Sequence, residues 1–186
     1  MIKEQVYMEI LKPLVSVKSI IAFIGITFST YAYSQEAILE PVAVFEKWGV
    51  FVVDQPKNCW ATSKPERSIN TRDGRKVNVK RGAIVLHVNF RPDDKVYGQV
   101  TFTGGYPFAE GSNVNFNVDG TNFALFTEDE WAWARSDEDD AKIVNAMKKG
   151  AKAILTAKSS RGTQTEDTFS LLGFTAAVGD AEKRCK

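Results

Sequence analysis

The sequence predicts an all-β fold, a β-sandwich of about nine short strands with one or two short helices. Three observations point there. Apolar residues fall on every second position in several runs, glycine-containing two-residue turns separate those runs, and one stretch alone carries full helix-capping signals. At 186 residues, 44% hydrophobic and 25% charged, the chain can bury a core of ordinary size without metal staples. A net charge of +1 gives no global attraction to nucleic acid, and none is expected as a partner.

Residues 1–34 stand apart. Lys3, Lys12 and Lys18 precede an apolar run at 20–28, followed by Ser29, Thr30, Ala32 and Ser34. This order reads as a secretory signal peptide cut between Ser34 and Gln35, with Met8 as an alternative start. The apolar run is shorter than the ~20 residues a spanning helix needs, so no permanent membrane anchor is expected after cleavage. The expected location is the periplasm or the exterior, with residues 35–44 as a lead-in and 45–186 as one domain.

In that domain, 48–53 (WGVFVV) is the first strand, Pro56 and Asn58 make a turn, and 59–63 (CWATS) returns antiparallel. Trp48 and Trp60 would then share a core, the alternative being exposed rings that stack on sugars. From 64 to 81 the chain is basic. Lys64, Arg67, Arg72, Arg75, Lys76, Lys80 and Arg81 face only Glu66 and Asp73, and Asp73-Gly74 marks a hairpin. Arg72, Arg75, Lys76, Lys80 and Arg81 form a candidate patch for an anionic partner such as a polysaccharide or lipopolysaccharide. The competing reading is a solvated edge whose lysines discourage strand addition.

The clearest strand is 83–91, with Ile84, Leu86, Val88 and Phe90 on one face and Val85, His87, Asn89 and Arg91 on the other. A turn at 92–94 leads into Val96, Gly98, Val100 and Phe102 with the same alternation. Gly104-Gly105-Tyr106-Pro107 interrupts it. Val114, Phe116 and Val118 then point inward, Asp119-Gly120 turns the chain, and Phe123 and Leu125 return. Asn115, Asn117, Asp119 and Gly120 match half of a calcium loop, but its twelfth position is Phe126 where a bidentate glutamate belongs, and no metal or cofactor is expected.

Acidic residues at 128–130 and 137–140 flank Trp131-Ala132-Trp133-Ala134. The second group opens the helix. Ser136 is its N-cap, Ile143, Val144 and Met147 its apolar stripe, Lys148 and Lys149 its last turn, and Gly150 its stop. The acidic run is alternatively an electrostatic partner of the basic one. A further strand at 151–158 precedes the bend Arg161-Gly162, which Asp167 and the threonines 163, 165 and 168 are expected to satisfy. Phe169 and Leu171 project inward, Gly173 stops the strand, and 174–183 reads as a short helix interrupted by Gly179.

Export makes the two cysteines a predicted disulfide, Cys59 to Cys185. Two unrelated buried thiols, the alternative, would put Cys185 in a charged tail without a partner. A loop of this length gives about 4–5 kcal/mol in the chain-entropy model. His87 is the sole histidine, so sites built on paired histidines are excluded, and no nucleophile-elbow, P-loop or dinucleotide motif occurs. The expectation is a non-enzymatic binding or accessory module with an unidentified envelope or surface partner. A carboxylate-pair hydrolase and a structural or chaperone-like envelope component are the alternatives.

Trp48-Gly-Val, Cys59-Trp-x-x-Ser, Gly105-Tyr-Pro, Ala146-Met-Lys-Lys-Gly and above all Arg161-Gly-Thr-Gln-Thr-x-Asp-Thr-Phe-Ser-Leu-x-Gly-Phe resemble the invasion-associated locus B family of exported bacterial proteins. The resemblance covers roughly residues 45–185. It implies an immunoglobulin-like sandwich in the periplasm or at the cell surface, a founding member linked to host-cell invasion, and no catalytic activity. The chain lacks the further mid-domain cysteine pair that many members carry. Within the last motif, Arg161, Gly162, Thr163, Asp167, Phe169, Gly173 and Phe174 read as a structural closure.

Overall fold

Alternating side chains become paired strands where neighbours meet in the right register, and here twelve strands join in one continuous sheet. The computed structural model describes residues 39–186. The predicted signal peptide and residues 35–38 of the lead-in lie outside the described residues. Strands β1 (Ala43–Phe45), β2 (Trp48–Asp54) and β3 (Lys57–Ser63) form a meander, and β4 (Arg67–Arg72) with β5 (Arg75–Lys76) forms a hairpin. Strands β6 (Val85–Arg91) and β7 (Val96–Thr103) follow, then β8 (Asn113–Val118), β9 (Thr121–Glu128) and β10 (Trp131–Trp133). Helix α1 (Asp137–Lys149), β11 (Lys152–Lys158), β12 (Gln164–Ser170) and α2 (Phe174–Arg184) complete the chain.

All pairings are antiparallel, in the order β1-β2-β3-β6-β7-β10-β9-β8-β11-β12-β4-β5. The sheet doubles back so that its ends face each other across one core, a sandwich-like all-β arrangement. Phe102 on β7 meets Phe169 on β12 edge to face at 6.2 Å, and the Trp48 indole donates to the Ser170 carbonyl at 3.0 Å. After β3 the chain crosses to the far edge, lays β4–β5 against β12, and returns through 77–84 to β6.

The expected strands form where alternation predicts them, but the count is twelve rather than about nine. The additions are short. β1 pairs with β2 inside what reads as lead-in, so the domain begins before residue 45. β10 is three residues set between acidic groups that mask its alternation. Trp48 is fully buried against Phe174 at 4.8 Å, as expected of a core tryptophan. Trp60 does not join it. Next to the buried Cys59 on the same strand it points to the other face, where it stacks on Phe51.

Helix α1 has the predicted cap, the Asp139 amide donating to Ser136 Oγ at 3.2 Å, and buries Ile143 and Met147. Asp140, grouped by sequence with the capping acids, is instead buried and accepts a 2.7 Å hydrogen bond from the Val100 amide. That acceptor is needed because β10 pairs with β7 only between residues 101 and 103. Burial pushes the Asp140 carboxyl up to about 6, against the pull of the Val100 hydrogen bond and with smaller upward contributions from Asp137 and Asp139.

Helix α2 packs on β1, β2 and β3 and runs unbroken through Gly179, contrary to the predicted interruption. One glycine in a helix held by Phe174, Ala177, Val178 and Ala181 in the core costs less than breaking that packing. The Cys59–Cys185 disulfide exists as expected and ties the end of α2 to β3 across 126 positions. Gly173, the helix N-cap, has φ 87°, and a Cβ there would run into the Phe45 carbonyl.

Gly173→Ala is expected to destabilise by at least about 2 kcal/mol, whereas Gly179→Ala, whose new methyl meets open space, stabilises by about 0.5–1 kcal/mol; urea unfolding of both variants reads the opposite signs. Asp140 holds its proton to higher pH in the folded than in the unfolded chain, so its contribution to stability falls as pH rises from its ordinary 3.8 to about 6. The melting temperature of Asp140→Asn relative to wild type should therefore climb across that window.

Candidate functional site

The return segment 77–84, the loop 104–107, the turn 159–163 and the end of β4 enclose a cleft of about 510 Å³. Gly105 makes their approach possible. It has φ 73°, its carbonyl accepts from the Gly82 amide at 2.8 Å, and a Cβ on it would stand 2.7 Å from the Gly82 backbone. The adjoining Pro107 carbonyl accepts from the Ser160 amide at 2.9 Å, so the Gly-Tyr-Pro loop and the Arg161-Gly-Thr turn are bound to each other.

The floor is an ion pair. Arg81, with only 6% of its side chain exposed, reaches the fully buried Asp167 through two parallel bonds of 2.9 and 2.5 Å. Its Nε donates to the Gly104 carbonyl at 2.8 Å, Nη1 also reaches Asn70 Oδ1 at 3.2 Å, and Ser68 Oγ donates to Asp167 at 2.6 Å. Above it lies the Tyr106 ring, its centroid 5.0 Å from the guanidinium carbon. The Tyr106 hydroxyl bonds to Thr165 Oγ1, and burial raises the phenol above its ordinary 10.0.

Two sets of sequence-predicted residues therefore meet here. From the basic run come Arg72 and Lys80, exposed at the cleft, and from the family motif come Arg161 and Thr163. Arg72 Nη2 donates to Thr163 Oγ1 at 2.7 Å. Three expectations change. Arg81 is not part of an open patch, because its charge is spent on Asp167. Arg75 and Lys76 sit on the exposed β5 and are not among the cleft residues. Asp167 does not satisfy the 159–163 bend, which closes on itself through Ser159: its Oγ accepts from the Thr163 amide at 3.1 Å and its carbonyl from the Gly162 amide at 2.8 Å.

The reason is strand alternation, which turns Thr163, Thr165, Asp167 and Phe169 inward together. Phe169 and Phe174 are fully buried, as the closure reading expects. Of the acidic run, Glu130 alone lines the cleft. The half calcium loop is occupied by local bonds: Asn117 Oδ1 accepts from the Gly120 amide at 3.0 Å and Asp119 Oδ2 from the Ala151 amide at 2.6 Å. Among the described residues no group of three or more histidine, cysteine or acidic side chains is placed to hold a metal. Tyr106 was the missed participant, legible only as part of Gly-Tyr-Pro.

The geometry defines a class: a disulfide-closed, all-β sandwich-like domain with a basic cleft built over a buried arginine–aspartate pair. Residues 52–182 match the family model described as Invasion associated locus B (IalB) protein, and the chain belongs to that family. No curated protein and no solved structure matches it.

Removing one member of the buried pair leaves the other charge uncompensated. Arg81→Met and Asp167→Leu are each expected to lose about 3–5 kcal/mol, and the double variant Arg81→Met/Asp167→Leu to lose less than the sum, as a double-mutant cycle in urea would measure.

Proposed function

We propose that this chain is an exported, non-enzymatic binding or accessory module of the bacterial periplasm or envelope, and that its cleft receives an anionic group of its partner. The observation that carries the reading is the convergence of Arg72, Lys80 and Arg161 with the Tyr106 ring and the Thr163 hydroxyl in one cleft. Three cations face a single carboxylate, Glu130, so the local field favours an anion although the whole chain is nearly neutral. The floor is rigid because Arg81 makes four hydrogen bonds, and a preorganised cleft loses little entropy on binding.

Export is supported by the character of residues 1–34 and by a disulfide that an oxidising compartment would maintain. Binding is favoured over carboxylate-pair hydrolysis because the cleft lining holds one carboxylate, Glu130, and Asp167 beneath it is engaged by Arg81 and Ser68.

Charge reversal at Arg72, Lys80 and Arg161 together should lower retention on isolated envelope fractions by roughly tenfold or more, with stronger loss at low salt. The same reversal at Arg75 and Lys76, outside the cleft, should change retention much less. Equal effects from the two sets in a co-sedimentation assay would remove the cleft from the account.

A further inference from the structure

A second concavity lies on the outward face of the sheet, where β3, β6, β7 and β10 run side by side. It encloses about 450 Å³, and its lining shares no residue with the basic cleft. Three of the chain's four tryptophans, Trp60, Trp131 and Trp133, stand around it. Strand alternation puts them there, since Cys59, Ala61 and Ala132 take the inward positions beside them.

The rings are braced. Trp60 stacks on Phe51 with centroids 5.5 Å apart and planes 10° from parallel, and Trp133 stacks on Phe126 at 5.5 Å. Trp131 lies 6.0 Å from His87 and is 39% exposed at the rim. Between the rings run uncharged amides and hydroxyls, namely Asn58, Asn89, Gln99 and Thr101. Asn89 is held by 3.2 and 3.1 Å bonds to the Gln99 carbonyl and to Thr101 Oγ1.

We propose that this groove binds a neutral oligosaccharide. The charge of the lining argues for a neutral ligand: Arg91, its one permanent cation, is committed to Asp94 at 3.0 Å and to Gln99 at 3.2 Å, and no carboxylate is present in it. Burial lowers the His87 imidazole to about 4, so it too is neutral at pH 7.

Alternation of rings and amides argues for a sugar over a purely apolar ligand. A pyranose offers C–H faces to stack on indoles and a rim of hydroxyls to pair with amides and imidazole. Polar groups in short supply of partners point the same way. Two of the four buried side-chain polar atoms without a hydrogen bond among the described residues, Asn58 Oδ1 and His87 Nδ1, belong to residues that line this groove. Such orphans are uncommon in folded proteins, and ligand hydroxyls would supply what the protein does not.

Titration of the purified protein with cellohexaose, chitohexaose and maltohexaose, followed by tryptophan fluorescence and by melting temperature, tests this. At least one should give a saturable spectral change and a concentration-dependent rise in melting temperature. Trp131→Ala, at the exposed rim, should weaken that binding about tenfold with circular dichroism unchanged, and Trp131→Phe should recover much of it. The charge reversal of Arg72, Lys80 and Arg161 should leave it unaltered, so this site and the anionic cleft succeed or fail separately. Failure of all three sugars at millimolar concentration overturns the proposal. So does light scattering that shows the groove engaged in self-association, with Trp131→Ala dissociating a dimer.

Discussion

The structure depends on one buried charge pair. Arg81 lies on the segment that returns from the far edge of the sheet to its middle, and its side chain, 6% exposed, turns in against Asp167 on β12. A guanidinium in such a place is tolerated only if its donors are met, and they are, by Asp167, Asn70 and the Gly104 carbonyl. The pair does not have to add stability over an apolar alternative to matter. It specifies which segments come together: β12 through Asp167, β4 through Ser68 and Asn70, and the Gly-Tyr-Pro loop through its backbone.

At the opposite end of β12 the closure is apolar and covalent. Gly173 lets α2 begin against the Phe45 carbonyl, Phe174 enters beside Trp48, and the helix ends at Cys185, bonded to β3. The two closures do different work. The polar one fixes register and loop geometry through directional bonds, whereas α2 covers the inner face of β1–β3 with area that any well-shaped apolar helix could bury. That division explains why a single family motif contains both an acid and a run of core residues: Asp167 serves one closure, and Phe169, Gly173 and Phe174 serve the other.

Local rules made most of this fold legible. Alternation identified the inward sets on β6, β7 and β8, Asp-Gly pairs located two hairpin turns, and the Ser136 cap and the disulfide stand as read. What stayed hidden depends on contacts far apart in the chain. Nothing near Arg81 separates it from Lys80, because the difference is an aspartate 86 positions away. Asp140 looked like one more capping acid, and only the early end of β10 gives it a backbone amide to satisfy. Trp60 was misplaced for a simpler reason: a strand neighbour of a buried cysteine must face the other way, and that parity outweighs the general tendency of tryptophan to be buried.

The same parity accounts for the chemistry of the two surfaces. On β12 and the residue just before it, the inward positions carry Thr163, Thr165 and Asp167 where a core would normally take valine or leucine, and that is the segment against which Arg81, Tyr106 and Arg72 are assembled. On β3, β6 and β10 the inward positions are ordinary core residues, and the unusual ones face out, as tryptophans interleaved with amides. A surface kept only for solubility would carry charges there. An outward face held by stacked rings and a polar cluster turned inward are both departures from the pattern a strand would adopt for folding alone, and departures of that kind mark where selection has acted on something other than stability.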